Sequence, residues 1–239
     1  LSSPSIVIFD NDVPISPLSV VGNIVKVDIP VQSDEWTRPA DWIDISGMVS
    51  IGNQKMVGTY AVFDTESNVL DLTYMYIAGG YTVDWGDGNT DTYASGASAS
   101  HDYNFSDLSH VCSRGYKIAV VTITPTSGGT FTDVNLRTIT GIKLKWLELN
   151  MSFPTISGAG AFIVGTANTS NFLPLIENIH IFSFGSVSSI QDSFAGMINL
   201  QQIVIDSNTS SVTNMRGVFQ YSGLKKLPAM NTKNVTNMQ

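Results

Sequence analysis

Three apolar positions, Ile179, Ile203 and Leu227, follow one another at equal steps, and the first two begin the matching pairs Ile179-x-Ile181 and Ile203-x-Ile205. A short fixed period of this kind belongs to chains that stack one structural unit on the next, because a single such unit cannot bury its own apolar face. A second register agrees with the first. Val212-Thr213-Asn214-Met215 returns as Val235-Thr236-Asn237-Met238, and Phe194 and Phe219 precede Leu200 and Leu224. Carried backwards, the ladder places Leu147-x-Leu149 one rung earlier after a longer step, so Ile139 to Phe182 reads as a cap or transition.

The rest of the chain must supply what the stack rests on. With 239 residues, 43% of them hydrophobic, one large or two small domains with a buried core are expected. Only 13% of residues are charged. The polar remainder is dominated by Ser, Thr, Asn and Gly, which suits strands joined by turns. A net charge of -8, with no basic run longer than Lys225-Lys226, argues against a nucleic-acid partner. The single cysteine, Cys112, excludes an intrachain disulfide framework. No stretch approaches the ~20 apolar residues of a membrane span, so no membrane insertion is expected. The opening residues lack a signal-peptide pattern and an initiator Met, which suggests a processed or partial product.

Residues 1–56 read as an N-terminal attachment region, either an extended arm or a small β subdomain. Short apolar runs such as Ile6-Val7-Ile8-Phe9 alternate there with breaks at Pro4, Pro14, Pro17, Gly22 and Pro30. In its last third Trp36 and Trp42 flank Arg38-Pro39. The proline forces Arg38 into an extended conformation and the indoles offer apolar area to a seam, so the segment reads as a structural joint. The alternative is an aromatic platform for carbohydrate.

Residues 57–137 carry short β-prone runs separated by turns, the pattern of a β-sandwich. Within Gly79–Gly88, alternation predicts Val83 and Trp85 on one face and Asp84 on the other, with Gly86-Asp87-Gly88 making a tight hairpin. Asp84, Asp87 and Asp91 lie close enough in sequence to suggest calcium, but they lack the odd-position spacing of a dedicated loop. Turn capping is the expected role. His101 adjoins Asp102, but neighbours on a strand face opposite ways, so a packed or surface histidine is expected rather than a catalytic base. Gly158-Ala159-Gly160 with Gly165 has the wrong spacing for a dinucleotide loop and reads as a turn. No catalytic, cofactor-binding or metal residue is assigned, and the chain is not expected to be an enzyme. Asn-x-Ser/Thr sequences at Asn104, Asn150, Asn168, Asn208 and Asn234 are what so Asn-, Ser- and Thr-rich a chain supplies by composition.

Gly79–Gly88 (GGYTVDWGDG), His101-Asp102-Tyr103 and the closing strand Ile118–Thr124 resemble the polycystic-kidney-disease-type immunoglobulin-like domain. The run VTNMRGVFQYSGLKKL resembles the BspA-type leucine-rich repeat. That resemblance implies a short helical turn on which Met215 and Phe219 share a face, then a strand fed by Leu224 and Leu227. The implied fold is mainly β: an immunoglobulin-like sandwich followed over 138–239 by a leucine-rich-repeat-like solenoid. A solenoid ending at Gln239 would expose an apolar rung, so further chain or a partner is expected there.

The order of arm, Trp-x-Arg-Pro-Ala-Asp-Trp segment, sandwich and repeats is similar to tail-fibre and other virion-surface proteins of tailed bacteriophages. That resemblance implies a non-enzymatic virion structural protein, attached to the particle through its N-terminal region, with repeats projecting outward for host attachment. Its expected partners are other virion proteins, copies of itself, and a host surface glycan or protein. The alternative is a bacterial cell-surface adhesin or lipoprotein ectodomain. A third reading, a spacer in a secreted glycoside hydrolase, would need a carboxylate pair across a groove, and no such pair is evident.

Overall fold

A computed structural model describes residues 9–10, 13–14, 18–21, 24–27, 36–72, 74–136, 144–159, 162–165 and 175–238. The chain forms two compact units, Leu1–Glu35 and Trp36–Gln239. As expected, it is mainly β, and the one helical element among the described residues is a 3-10 turn at Phe105–Asp107. In the first unit β1 (Phe9–Asp10) pairs with β2 (Val13–Pro14), and β3 (Leu18–Val21) with β4 (Ile24–Val27), both antiparallel. Of the expected attachment region 1–56, residues 36–56 fall in the second unit, and the residues of 1–35 other than β1 to β4 lie outside the described ones.

The second unit is organised by one seven-stranded sheet. Its strands are β5 (Lys55–Val62), β8 (Tyr81–Asp84), β9 (Thr90–Tyr93), β11 (Lys117–Pro125), β13 (Trp146–Ser152), β16 (Asn178–Ser183) and β18 (Gln202–Ile205), in the spatial order β18-β16-β13-β5-β11-β8-β9. From β13 to β9 every neighbour is antiparallel. From β13 to β18 every neighbour is parallel. The expected segments 57–137 and 138–239 thus share one hydrogen-bonded sheet, joined where β13 pairs with β5.

Packed against one face are β6 (Val69–Leu72) with β10 (Ala99–Asp102), and β7 (Tyr74–Ala78) with β12 (Thr130–Asn135) and β15 (Phe162–Ile163). This arrangement is consistent with a β-sandwich. Strand alternation explains the layering. On β5, Met56, Tyr60 and Val62 enter the main core while Val57 and Ala61 face the other way. Gly58 is needed on the core side because an added Cβ would lie 2.6 Å from the Trp146 ring. The core then runs unbroken to Phe184, Phe194 and Met215.

The repeated rungs differ from the ladder read in the sequence. Leu149, not Leu147, pairs with Ile179, which pairs with Ile203. A register shift between Trp146 and Glu148 turns Leu147 into a cluster on the opposite face. The second ladder pairs β14 (Ser157–Ala159) with β17 (Ser186–Ser189), then Ser189 with Asn214 and Asn214 with Asn237, all parallel. Met215 and Phe219 do reach the core, but from a turn rather than a helix. Gly217 at φ 58° and Tyr221 at φ 58° interrupt helical geometry there. Leu227, the expected third rung, is exposed and lies in no strand.

Candidate functional site

The hairpin between β8 and β9 is the strongest local motif, and its chemistry is inward. Val83 and Trp85 are fully buried and Asp84 is exposed, as alternation requires. Gly86 and Gly88 take φ of 80° and 96°, which L side chains rarely adopt. Asp84 Oδ1 accepts the Gly86 amide at 3.0 Å, Asp87 Oδ1 accepts the Asn89 amide at 3.0 Å, and Asp91 Oδ2 accepts the Trp85 indole N–H at 2.8 Å. The three carboxylates therefore face three different partners. Among the described residues no three His, Cys, Asp or Glu side chains are grouped to hold a metal ion.

His101 joins this hairpin from β10. Its Nε2 lies 2.7 Å from Asp87 Oδ2, and its ring stacks on Trp85 at 4.9 Å and meets Tyr103 edge-on at 4.5 Å. Tyr103 in turn donates its hydroxyl to the Trp85 carbonyl at 2.9 Å. Burial pushes the Asp87 carboxyl upward, but the Asn89 amide and His101 outweigh it, so its pKa lies below the ordinary value. Asp102 is on the exposed side of the strand. The arrangement is a packed pin that ties the hairpin to β10.

The second cluster lies on the other face of the large sheet, where residues 36–49 run as a strap. Arg38 clasps Glu148 with two hydrogen bonds, Nε to Oε2 and Nη2 to Oε1, both 2.8 Å, and its Nη1 lies 2.8 Å from Asp44 Oδ1. Glu148 is 1% exposed, and Asn178 on the next strand donates to it at 3.0 Å. Trp36 donates to Glu177 at 3.3 Å, and Arg114 pairs with the same carboxylate. Farther along, Asp41 Oδ2 accepts from the Ser113 amide at 2.6 Å and from the Cys112 thiol at 3.3 Å. Hydrogen bonds from the Ser113 side chain and amide hold the Asp41 carboxyl down to about 2. Ile45 and Val49 close the strap over Val57, and Asn150 donates to the Ile45 carbonyl at 2.9 Å.

Such a strap leaves little room for a carbohydrate platform. Trp42 is 5% exposed, donates its N–H to Tyr116 at 3.1 Å, and carries the Arg114 guanidinium 5.3 Å from its ring centroid. Trp36, Arg38 and Trp42 stood out in the sequence, but Glu148 as the partner of Arg38 and Glu177 as the partner of Trp36 did not. The available signal was a carboxylate inside an apolar run: Leu147-Glu148-Leu149 and Ile176-Glu177. Compared with family models, curated proteins and solved structures, the chain matches none.

The remaining motif residues serve backbone stacking. Thr213 donates its hydroxyl to the Ser188 carbonyl at 3.1 Å and Thr236 to the Thr213 carbonyl at 3.2 Å, while Asn214 caps the Arg216 amide at 3.1 Å. Gly158 and Ala159 sit in β14 instead of the expected turn; Gly160 lies outside the described residues. Of the five Asn-x-Ser/Thr sites, Asn150 is 2% exposed and already bonded to the strap, so a glycan there would break the sheet face. Asn168 lies outside the described residues.

Proposed function

We propose that this chain is a non-enzymatic virion structural protein of a tailed phage. In this reading its N-terminal region attaches to the particle and a solenoid of BspA-type leucine-rich repeats projects outward from a polycystic-kidney-disease-type sandwich, in position for host attachment. The observation that carries the reading is the continuity of the large sheet. The antiparallel strands and the parallel rungs share β13, so the sandwich and the rungs that would project from it toward the host are one hydrogen-bonded body. Rigid coupling of this kind suits a projecting support. The polar side chains that draw attention in the sequence, Asp87, His101 and Arg38, are engaged in holding the chain together, Arg38 through Glu148.

Immunogold electron microscopy with antibodies to this chain, applied to phage particles and to host cells, tests the proposal. Label on virions is the expected result. Label confined to cell envelopes would overturn it in favour of a cell-surface adhesin.

A further inference from the structure

A third polar cluster joins the sandwich to the first rung and belongs to neither the hairpin nor the strap. Lys145, immediately before β13, is 7% exposed, and Asn68, immediately before β6, is 4% exposed. The lysine Nζ lies 3.2 Å from Asn68 Oδ1, 2.8 Å from the Ser67 carbonyl and 3.0 Å from Glu66 Oε2. It also sits 4.7 Å from the centroid of the Phe63 ring. The asparagine amide is fixed on both sides: its Nδ2 donates to the Phe63 carbonyl at 2.7 Å, and its Oδ1 accepts the Phe63 amide at 2.9 Å. The backbone around both residues is held as well, since the Lys145 carbonyl accepts the Ala61 amide at 2.9 Å and the Asn68 carbonyl accepts the Tyr103 amide at 3.4 Å.

We propose that Lys145 and Asn68 join in an intramolecular isopeptide bond, with Glu66 moving the proton. The components are those that acyl transfer from an amide to an amine requires. An amine stands at van der Waals range of a carboxamide that cannot rotate away, which replaces a bimolecular encounter by a prearranged one. The oxygen that gains negative charge on attack already accepts a backbone N–H. A carboxylate reaches the amine to take up its proton.

Glu66 accepts a proton from the Lys145 ammonium, and Nζ then forms a bond to Asn68 Cγ. The tetrahedral centre collapses with rupture of the Cγ–Nδ2 bond; the proton held by Glu66 and the second proton released by Nζ both pass to the leaving nitrogen. Lysine ammonium and asparagine amide become a secondary amide and one ammonium ion; nothing is oxidised or reduced. The link spans 77 residues and ties the β5–β6 loop to the start of β13. It would supply the covalent closure that a chain with one cysteine, Cys112, cannot obtain from an intrachain disulfide.

Intact-mass measurement of the purified, denatured full chain tests this directly. The expected mass falls about 17 Da below the sequence value through loss of one ammonia, and proteolysis releases a branched peptide joining Asn68 and Lys145. Lys145→Arg keeps the positive charge and is expected to restore the sequence mass and abolish the branched peptide. Asn68→Asp, which can react with loss of water, is expected to show a deficit of about 18 Da relative to its own sequence. Glu66→Gln should slow the reaction, so that unlinked chain accumulates. A wild-type chain at full sequence mass, or a deficit of that size without the branched peptide, would overturn the proposal.

Discussion

The antiparallel half of the large sheet and its parallel half draw on the same Ser-, Thr- and Asn-rich composition in different ways. Around β8, β9 and β10 polar side chains fix individual contacts: Asp87 holds His101, Asp91 holds Trp85, and Tyr103 closes on the Trp85 carbonyl. Along the rungs the same residue types repeat one contact. Thr213 bonds the carbonyl of the preceding coil, Thr236 bonds that of Thr213, and Ser211 bonds Val187 at 2.9 Å. Both halves bury large side chains, Tyr81 and Trp85 in the first and Phe184 and Phe194 in the second; they differ in their polar contacts, individual in the first and repeated in the second. Loss of one polar contact should therefore cost more in the first half than in the second, although both belong to one sheet.

Trp85→Ala should have the largest effect. The fully buried indole packs against His101 and bonds Asp91, and its loss is expected to destabilise the chain by about 4 kcal/mol in urea unfolding. Because the two halves share a core, a single transition that shifts as a whole is expected. Separate transitions for antiparallel and parallel parts would break the comparison. Arg38→Ala comes next, at about 3 kcal/mol, because it strands a Glu148 carboxylate that is 1% exposed. Adding Glu148→Gln to that variant should recover part of the loss; no recovery would mean the strap holds by packing alone. Thr213→Val removes one rung bond of an exposed side chain and should cost less than about 1 kcal/mol. A cost equal to that of Trp85→Ala would show that the rungs are not redundant.

Acid gives the smallest effect and locates it. The Asp41 carboxyl is depressed in the fold from 3.8 to about 2, so its contribution is complete above pH 4 and is lost as pH falls toward 2. Trp42 fluorescence should change across that window while the far-ultraviolet signal of the strands persists. A fluorescence change centred well above pH 4 would assign the strap's acid sensitivity to another group.

The sequence carried those features whose cause is local. Alternation along Val83-Asp84-Trp85 set the hairpin's faces, and turn glycines at 86 and 88 set its reversal. The recurrence of Val212–Met215 at Val235–Met238 marked positions that stack in the structure. What it hid depends on distant pairing. Nothing near Arg38 announces Glu148, 110 residues away. Leu147 and Leu149 look equivalent until the register shift sends one to each face. The helical turn expected at Met215–Phe219 gives way because residues 217 and 221 take positive φ, a choice set by stacking on the coil before it.

The position of β13 also fixes an order of events in time. Thr59 on β5 pairs with Glu148, with most of the sandwich lying between them in sequence, whereas Ile179 pairs with Ile203 across a single turn of the ladder. Closing the first loop is entropically slower than closing the second. A chain emerging from its N-terminal end must hold β5 with one edge unpaired until β13 arrives, and that interval is when its exposed edge is open to wrong partners. Once β13 is in place it templates β16, and β16 templates β18, each after a short wait. Folding of this molecule therefore has one slow commitment followed by fast propagation, and the commitment is made at β13.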